Sequence, residues 1–494
     1  MSITMTRKGR EGPMRSAGFR YGRWGRVLLF LVSVVCTNAC RRSRFPSRGD
    51  AAPVVVVVPR NDAAGPPKVA EQEPNDSPEQ AQLLDINPDW PVRSVEGELS
   101  VPGEGKRKDV DVFKLMVPGP RQDLAAHASA PDSAPIDEPR LSARRLSVEV
   151  ASGGGAALSL QLLDDGLNSL ETISVDAGEV AGMPNMAALP GRTYYLRVKA
   201  LAKSGKTQEA QPTASPYKLT VQLGDFEISE EREPNDRLET AQPLGLKGTL
   251  DFAGLFGWQR DQDFYRIPAP EAVSALDIEL DAVEGVAAGL QVLDSGGARI
   301  AAGKGRKGER LALHNVTLSP SAADAGTNAR ALYVVVRGES GHNRMQRYVL
   351  HLSLGTLKRD AEIEPNDNPT SATEVHDGTT TGFLPVGDVD YFRYIGDGQR
   401  EVSIEVTCPS RVRGKLQIVR PSDGQVLGAA EATKPRQALV LTKIQSLGEP
   451  LLVRLSQGKG DGNPNEPYSL TISSAPLPIQ KNGATNSPSP LNPD

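Results

Sequence analysis

The sequence predicts an all-β protein with three tandem antiparallel β-sandwich domains of jelly-roll-like type. The first observation is a tetrapeptide, Glu-Pro-Asn-Asp, that occurs at 73–76, 233–236 and 364–367. The second is that short segments of alternating apolar and polar residues follow each copy, as half-buried strands require. The third is that no long amphipathic helical pattern separates these segments, which disfavours an α/β fold with crossover helices.

The first 40 residues are typical of an export signal. Seven Lys and Arg side chains precede an apolar run at 27–35, and small and polar residues lead from it to Cys40. That order predicts export, and the run is too short for a transmembrane helix, which needs about 20 residues. Two alternatives remain for Cys40: it carries a lipid, or ordinary cleavage releases a soluble protein. A lipid on Cys40 would be a tether to the membrane and not a span.

The predicted location is therefore the cell envelope, as an outer-membrane lipoprotein or as a periplasmic or secreted protein. The exported part is acidic. Residues 1–40 hold seven of the 56 Lys and Arg side chains and one of the 61 acidic side chains, so the remainder has a net charge of −11. This charge disfavours nucleic acid as a partner.

Each tetrapeptide begins a longer repeat with landmarks in a constant order. A glutamate stands two residues before it, and a Gly-x-Leu, an Asp-x-Asp with an aromatic residue, and a closing Tyr-x-Leu strand follow. The Gly-x-Leu begins at Gly97, Gly248 and Gly382, and the closing strand at Tyr217, Tyr348 and Tyr468. The order defines three modules: module 1 at 71–224, module 2 at 231–355 and module 3 at 362–475.

The segments outside the modules differ in composition. The short joints 225–230 and 356–361 are expected to restrict the orientation of neighbouring modules. Residues 41–70, which mix Arg, Pro, Ala and a run of Val, are predicted to form an extended linker. Residues 476–494, rich in Pro, Asn and Ser, are predicted to be a disordered tail.

The ExEPND start, the Asp-x-Asp with its aromatic residue and the closing Tyr-x-Leu strand together resemble the bacterial pre-peptidase C-terminal domain family. The resemblance covers nearly all of residues 71–475, three times in succession. It implies β-sandwich modules of the kind attached to secreted peptidases. It also implies similarity to the collagen-binding modules of bacterial collagenases, which bind calcium near the ExEPND segment. No peptidase domain is recognisable beside the modules, so the resemblance implies no hydrolytic activity for this chain.

The acidic residues at two landmarks, ExEPND and Asp-x-Asp, suggest a metal site independently of that resemblance. Calcium binds about six to eight oxygen ligands, and carboxylates that meet in space repel one another unless a cation lies between them. The candidate calcium ligands are Glu71, Glu73, Asn75, Asp76, Asp109 and Asp111 in module 1; Glu231, Glu233, Asn235, Asp236, Asp261 and Asp263 in module 2; and Glu362, Glu364, Asn366, Asp367, Asp388 and Asp390 in module 3.

Turn chemistry without a metal is the alternative explanation for these residues. Asp76, Asp236 and Asp367 precede a predicted short helical turn and could cap it. The Asp-x-Asp pairs could accept hydrogen bonds from loop amides.

No catalytic residue is predicted. The five histidines lie at no repeated position, and no HExxH, GxSxG or phosphate-loop motif occurs. We therefore expect a non-catalytic envelope protein whose modules bind or adhere to an extracellular or envelope protein or glycan, with avidity from the repeat. Two alternatives remain open: a structural spacer or assembly component of the envelope without a ligand, and an accessory subunit of a secreted peptidase.

Overall fold

The computed structural model describes residues 68–100, 109–119, 143–201, 214–268, 274–318, 331–459 and 461–477. Within these ranges the regular structure consists of strands and one 3₁₀ turn, Leu238–Thr240. The predicted all-β fold with three tandem antiparallel sandwiches is confirmed. No helix in these ranges has the length and apolar character needed to cross a membrane. The predicted export signal, Cys40 and most of the predicted linker and tail lie outside the described residues.

Module 1 has two five-stranded sheets. Its strands are β1 (Lys68–Ala70), β2 (Gln82–Leu83), β3 (Val92–Ser100), β4 (Val110–Met116), β5 (Arg144–Ser152), β6 (Leu158–Leu163), β7 (Ser169–Val175), β8 (Val180–Ala188), β9 (Thr193–Ala200) and β10 (Ala214–Asp225). The strand orders are β1-β3-β10-β5-β8 and β2-β4-β9-β6-β7. The last two strands of the module therefore lie in opposite sheets.

Module 2 repeats this topology without a counterpart of β1. Its strands are β11 (Gln242–Pro243), β12 (Thr249–Phe256), β13 (Gln262–Pro268), β14 (Ala275–Leu280), β15 (Ala287–Leu293), β16 (Arg299–Lys307), β17 (Leu311–Thr317), β18 (Ala331–Ser340) and β19 (Asn343–Gly355). The orders are β12-β19-β14-β17 and β11-β13-β18-β15-β16.

Module 3 has the same arrangement again. Its strands are β20 (Thr373–Val375), β21 (Gly378–Leu384), β22 (Val389–Tyr394), β23 (Gln399–Thr407), β24 (Gly414–Val419), β25 (Val426–Glu431), β26 (Ala438–Leu447), β27 (Leu451–Gln457) and β28 (Asn463–Pro476). The orders are β21-β28-β23-β26 and β20-β22-β27-β24-β25.

Each module has its own core between its two sheets, because alternation turns every second strand residue inward. In β5, for example, Leu146, Val148 and Val150 are buried and belong to the core of module 1. Separate clusters fill modules 2 and 3. Cys408 lies in the core of module 3, and burial raises the pKa of its thiol to about 11.

Two predicted boundaries are wrong by a few residues. Lys68–Ala70, which we expected to belong to the extended linker, forms β1 and pairs in parallel with β3. Pro476, expected in the disordered tail, is the last residue of β28, and the N–H of Leu477 donates to the carbonyl oxygen of Gln399 at 3.0 Å. In both cases backbone hydrogen bonds to a neighbouring strand extend the order beyond the motif.

Modules 1 and 2 meet at a joint made by backbone hydrogen bonds, here called joint 1. The N–H of Glu233 donates to the carbonyl oxygen of Asn185 at 2.9 Å, and the N–H of Ala187 donates to the carbonyl oxygen of Glu233 at 2.7 Å. Arg145 adds an ion pair to Glu230 at 2.6 Å. Trp258 of module 2 packs against the core of module 1.

Modules 2 and 3 meet in the same way at joint 2. The N–H of Glu364 donates to the carbonyl oxygen of Asn315 at 3.3 Å, and the N–H of Thr317 donates to the carbonyl oxygen of Glu364 at 2.7 Å. The side chain of Asn315 also donates to the carbonyl oxygen of Glu362 at 2.6 Å. The glutamate of Glu-Pro-Asn-Asp is therefore the residue that docks on the preceding module at both joints.

The acceptor at both joints lies in a β-bulge of an edge strand. Asn185 is in the bulge of β8 and Asn315 in the bulge of β17, where the pairing with β5 and β14 shifts register. Both residues have a positive φ, 57° and 52°, a region that Asn tolerates better than most residues. A bulge bends the strand and leaves backbone groups unpaired, which here serve the next module.

Candidate metal centres

One backbone hydrogen bond brings the two acidic landmarks together in every module. The carbonyl oxygen of the motif asparagine accepts the N–H that follows the Asp-x-Asp pair. The bonds are Val112 to Asn75 at 2.9 Å, Phe264 to Asn235 at 3.0 Å and Tyr391 to Asn366 at 2.9 Å. The sequence expectation that ExEPND and Asp-x-Asp could meet is therefore met in the geometry of all three modules.

Further backbone amides orient the two motif glutamates. The first glutamate accepts a strand N–H: Glu98 to Glu71 at 2.8 Å, Leu255 to Glu231 at 2.7 Å and Phe383 to Glu362 at 2.6 Å. The second accepts the N–H of the motif asparagine, at 2.9 Å in Glu73, 2.7 Å in Glu233 and 2.9 Å in Glu364. One oxygen of each carboxylate is thus held by a backbone amide. The other oxygen of Glu71 accepts from the side-chain amide of Asn75 at 3.1 Å, and that of Glu362 accepts from a tyrosine hydroxyl.

A buried tyrosine is part of each cluster, although sequence reasoning did not assign it to the site. Tyr217 donates to Asp111 at 2.5 Å, Tyr348 to Asp263 at 2.6 Å, and Tyr468 to Glu362 at 2.7 Å. These are the tyrosines of the closing Tyr-x-Leu strand. The sequence signal that could have identified them is that the tyrosine is the same in all three repeats while the residues around it differ.

A glycine makes room for each tyrosine. A Cβ atom at Gly97, Gly254 or Gly382 would overlap the phenol group of Tyr217, Tyr348 or Tyr468. The counterpart of Gly97 and Gly382 in module 2 is therefore Gly254, and the assignment of Gly248 to this landmark is wrong. Gly248 instead lies just before β12, with a φ of 133°.

Three carboxyl groups converge in each module. Their ligand atoms lie within 4.8 Å of one another, and the groups are Glu71, Glu73 and Asp111; Glu231, Glu233 and Asp263; and Glu364, Asp388 and Asp390. The asparagines Asn75, Asn235 and Asn366 are fully buried beside them. Asp109, Asp261 and Glu362 hold backbone or tyrosine hydrogen bonds at the margin of the cluster.

The last aspartate of each Glu-Pro-Asn-Asp motif is also a predicted ligand, but it lies outside these converging groups. These aspartates are Asp76, Asp236 and Asp367. Asp76 accepts the N–H of Val110 at 3.4 Å, and Asp367 is exposed. In modules 2 and 3 these aspartates do not cap the turn that follows the motif. In module 2 the 3₁₀ turn begins after Arg237, and in module 3 the side chain of Asn368 accepts the N–H of Thr370 at 3.0 Å.

The first aspartate of each Asp-x-Asp pair does accept a backbone amide. Asp109 accepts from Ser100 at 2.5 Å, Asp261 from Gly257 at 2.6 Å, and Asp388 from Val389 at 2.9 Å. Turn chemistry therefore accounts for one oxygen of each group. It does not account for the other oxygens of the cluster.

Several buried oxygen atoms have no hydrogen-bond partner among the described residues. In module 1 these are Asn75 Oδ1 and Asp111 Oδ1; in module 2, Glu231 Oε1, Glu233 Oε1 and Asp261 Oδ1; and in module 3, Asn366 Oδ1, Asp388 Oδ2 and both oxygens of Asp390. A buried acceptor without a partner is costly, so such atoms need a water molecule, a shared proton or a cation. Acceptor-only atoms that converge are what a hard cation uses.

The amide of Asn235 admits a second arrangement. Swapping its oxygen and nitrogen lets the nitrogen donate to Asp263 Oδ1 at 3.2 Å and to Glu233 Oε2 at 3.3 Å. With the amide oxygen turned inward, that oxygen faces only other acceptors, as a cation between them would require. With the nitrogen turned inward, it neutralises part of the repulsion without an ion.

Burial in the presence of like charges raises the pKa of the clustered carboxyl groups. Desolvation raises the pKa of Asp111 to about 9 and that of Glu364 to about 8, and a neighbouring glutamate adds to each rise. In module 2 desolvation, with repulsion from Glu231, raises the pKa of Glu233 and Asp263 well above the usual range. Two neutralising agents are available to such clusters: protons or a cation.

Module 1 contributes residues to the cluster of module 2. Asn185 donates to Glu231 at 3.4 Å. Glu171 of β7 lies beside Asp236, and burial followed by repulsion from Glu171 raises the pKa of Asp236 to about 7. No sequence signal marks Glu171, because it belongs to a different repeat from the cluster it approaches.

Comparisons with known proteins identify no relative. No family model matches the chain, and no curated protein matches it. A solved protein with the triple jelly roll fold, from the turret of an archaeal virus, is 12% identical, covers 76% of this chain and 86% of its own, and has a TM-score of 0.18. The PBSX exported protein XepA is 11% identical, covers 44% of this chain and 77% of its own, and has a TM-score of 0.14. At these TM-scores neither similarity bears on function. The fold and the sites define an all-β protein of three tandem sandwiches, each with a cluster of acidic side chains.

Gly254→Ala should disrupt the cluster of module 2. The new Cβ overlaps the ring of Tyr348, so the tyrosine must move away from Asp263. We expect a loss of about 1–3 kcal/mol in the free energy of unfolding, as for an overpacked core. Urea denaturation measures it. Gly245→Ala is the matched control, because a Cβ there meets nothing within 4 Å, and equal effects of the two variants would contradict the assignment of Gly254.

Metal-free protein should lose stability as the pH rises from about 5 to about 8. The pKa of Glu362 is raised to about 7 and that of Glu364 to about 8 from the usual 4.5, so within this window the folded state binds more protons than the unfolded state. Stability then falls as the pH rises. Thermal melting with a chelator measures it, and Glu364→Gln should flatten the dependence. A stability that climbs over this range would contradict the raised pKa values.

Proposed function

We propose that this chain is an exported, non-catalytic, calcium-binding protein of the bacterial cell envelope. Its three modules bind or adhere to an extracellular or envelope protein or glycan. The observation that carries the calcium part is that three carboxyl groups converge in the described part of every module, and that each cluster has buried oxygens without a hydrogen-bond partner, although these oxygens are not the same ones in the three modules. Calcium supplies the positive charge that such a set lacks.

The donor set suits calcium better than a softer metal. The converging side chains offer only oxygen atoms, from glutamate, aspartate and asparagine. Zinc sites usually include sulfur or imidazole nitrogen, whereas calcium takes carboxylate and amide oxygens. In module 3 the ligands would be Glu364, Asn366, Asp388 and Asp390, with water completing the coordination.

The proposal of binding or adhesion rests on repetition. Three linked copies of one sandwich can bind a target together, which raises the overall avidity even when each single contact is weak. The export signal predicted at 1–40, with or without a lipid on Cys40, would deliver the modules to the envelope. The absence of any recognised catalytic motif in the sequence is consistent with this reading.

A structural spacer without a ligand is the second candidate, and the joints favour it. Backbone hydrogen bonds at Glu233 and Glu364 couple each module to the one before it. A spacer needs fixed joints, whereas a set of independent binding modules does not.

Calcium should raise the melting temperature of the metal-free protein. A ligand that binds only the folded state adds about 2.7 kcal/mol at a hundredfold excess over its Kd. Asp390→Asn removes a buried charge from the cluster of module 3 and should abolish the calcium-dependent shift of that module. Asp397→Asn, at an exposed position of the same module, is the matched control. A melting temperature that does not respond to millimolar calcium would overturn the calcium proposal.

Binding and spacing can be separated with the full chain and a chain that lacks module 3. The immobilised proteins are exposed to a triple-helical collagen-like peptide and to purified peptidoglycan, each with calcium and with a chelator. Adhesion modules predict that one probe binds and that the deletion weakens binding stepwise through lost avidity. Binding of neither probe would favour the spacer.

A further inference from the structure

Strand β26 of module 3 carries a third copy of the bulge that makes the two joints. Its pairing with β23 shifts register between Val402 and Ile404, so that Thr442 and Lys443 stand opposite Ser403. Lys443 has a φ of 60°, against 57° for Asn185 and 52° for Asn315. By this register Lys443 and Gln445 correspond to Asn185 and Ala187 of joint 1.

The joint-forming edge of β26 makes no backbone hydrogen bond to another segment in the described part of the chain. β26 is the outer strand of its sheet. None of the backbone bonds or isolated bridges between segments involves Lys443 or Gln445. The flanking residues Val440 and Leu447 are 53% and 51% exposed.

The complementary half of a joint is open in module 1. Glu233 and Glu364 are 2% and 9% exposed, because the preceding module covers them, whereas Glu73 is exposed. Among the described residues no backbone partner contacts the N–H or the carbonyl oxygen of Glu73. These are the two groups that form the joints at Glu233 and Glu364.

Charge also favours a match between the two open halves. Asn185 donates through its side chain to Glu231 in joint 1. At the equivalent position Lys443 presents an ammonium group, which would face the acidic ExEPND segment. Opposite charges at a contact steer association and select its register.

We propose that β26 of one chain receives Glu71–Asp76 of a second copy of this chain, and so forms a third joint from head to tail. The N–H of Glu73 would donate to the carbonyl oxygen of Lys443, and the N–H of Gln445 to the carbonyl oxygen of Glu73, as in joints 1 and 2. Such a contact joins two different surfaces. An open assembly therefore keeps one free surface of each kind and adds further copies, as a filament or until it closes into a ring.

Sedimentation velocity of the full chain over a concentration series tests this proposal. Wild type should form species larger than dimers as the concentration rises. Lys443→Glu places a carboxylate against the acidic segment and should weaken self-association by at least about tenfold, since each tenfold is about 1.4 kcal/mol. Lys434→Glu is the control, with the same charge change at an exposed site before β26.

Mixing the two proteins tests the polarity of the contact. Lys443→Glu retains an open module 1, so a minor fraction of it should end the growth of wild-type assemblies and shorten them. Three results would overturn the proposal: a wild type that stays monomeric, a wild type that stops at dimers, as symmetric pairing of β26 edges would give, or assemblies that Lys443→Glu does not shorten. Association through residues 1–40 would give the third of these results, because Lys443→Glu would not shorten such assemblies.

Discussion

The mutual repulsion of buried carboxylates is the constraint that organises each module. A backbone bond such as that from Val112 to Asn75 forces two acidic landmarks together, and the tyrosine hydroxyl and strand amides satisfy only part of the resulting acceptors. Burial and like charge both raise the pKa of these groups. The folded module therefore has to bind protons or a cation. The glycine beside the tyrosine leaves room for the phenol group next to the carboxylates.

The three clusters share a plan and differ in exposure. In module 1 Glu71 and Glu73 keep some contact with solvent, whereas all three converging groups of modules 2 and 3 are buried. The difference arises from the joints, because a preceding module covers the segments around Glu233 and Glu364. A change in protonation or in bound ion at these two clusters therefore occurs next to an inter-module contact.

The sequence predicted the sandwiches and the acidic clusters because both leave local signals: alternation along strands, and a motif repeated three times. The role of Tyr348 and the register of Gly254 were not predictable in this way, because they depend on which strands face each other across the sandwich. Asn185 and Glu171 were missed for a related reason. They act on a neighbouring repeat, and a comparison of repeats with one another contains no information about contacts between them.

The double hydrogen bond of Glu233 to β8 has a mechanical consequence. The backbone N–H and C=O of this residue are bonded to module 1, while its side chain belongs to the cluster that module 2 builds around Asp263. A stretching force between the two modules would act on those bonds and on that carboxylate together. Load on the joint and the charge state of the cluster are therefore coupled through a single residue, Glu233.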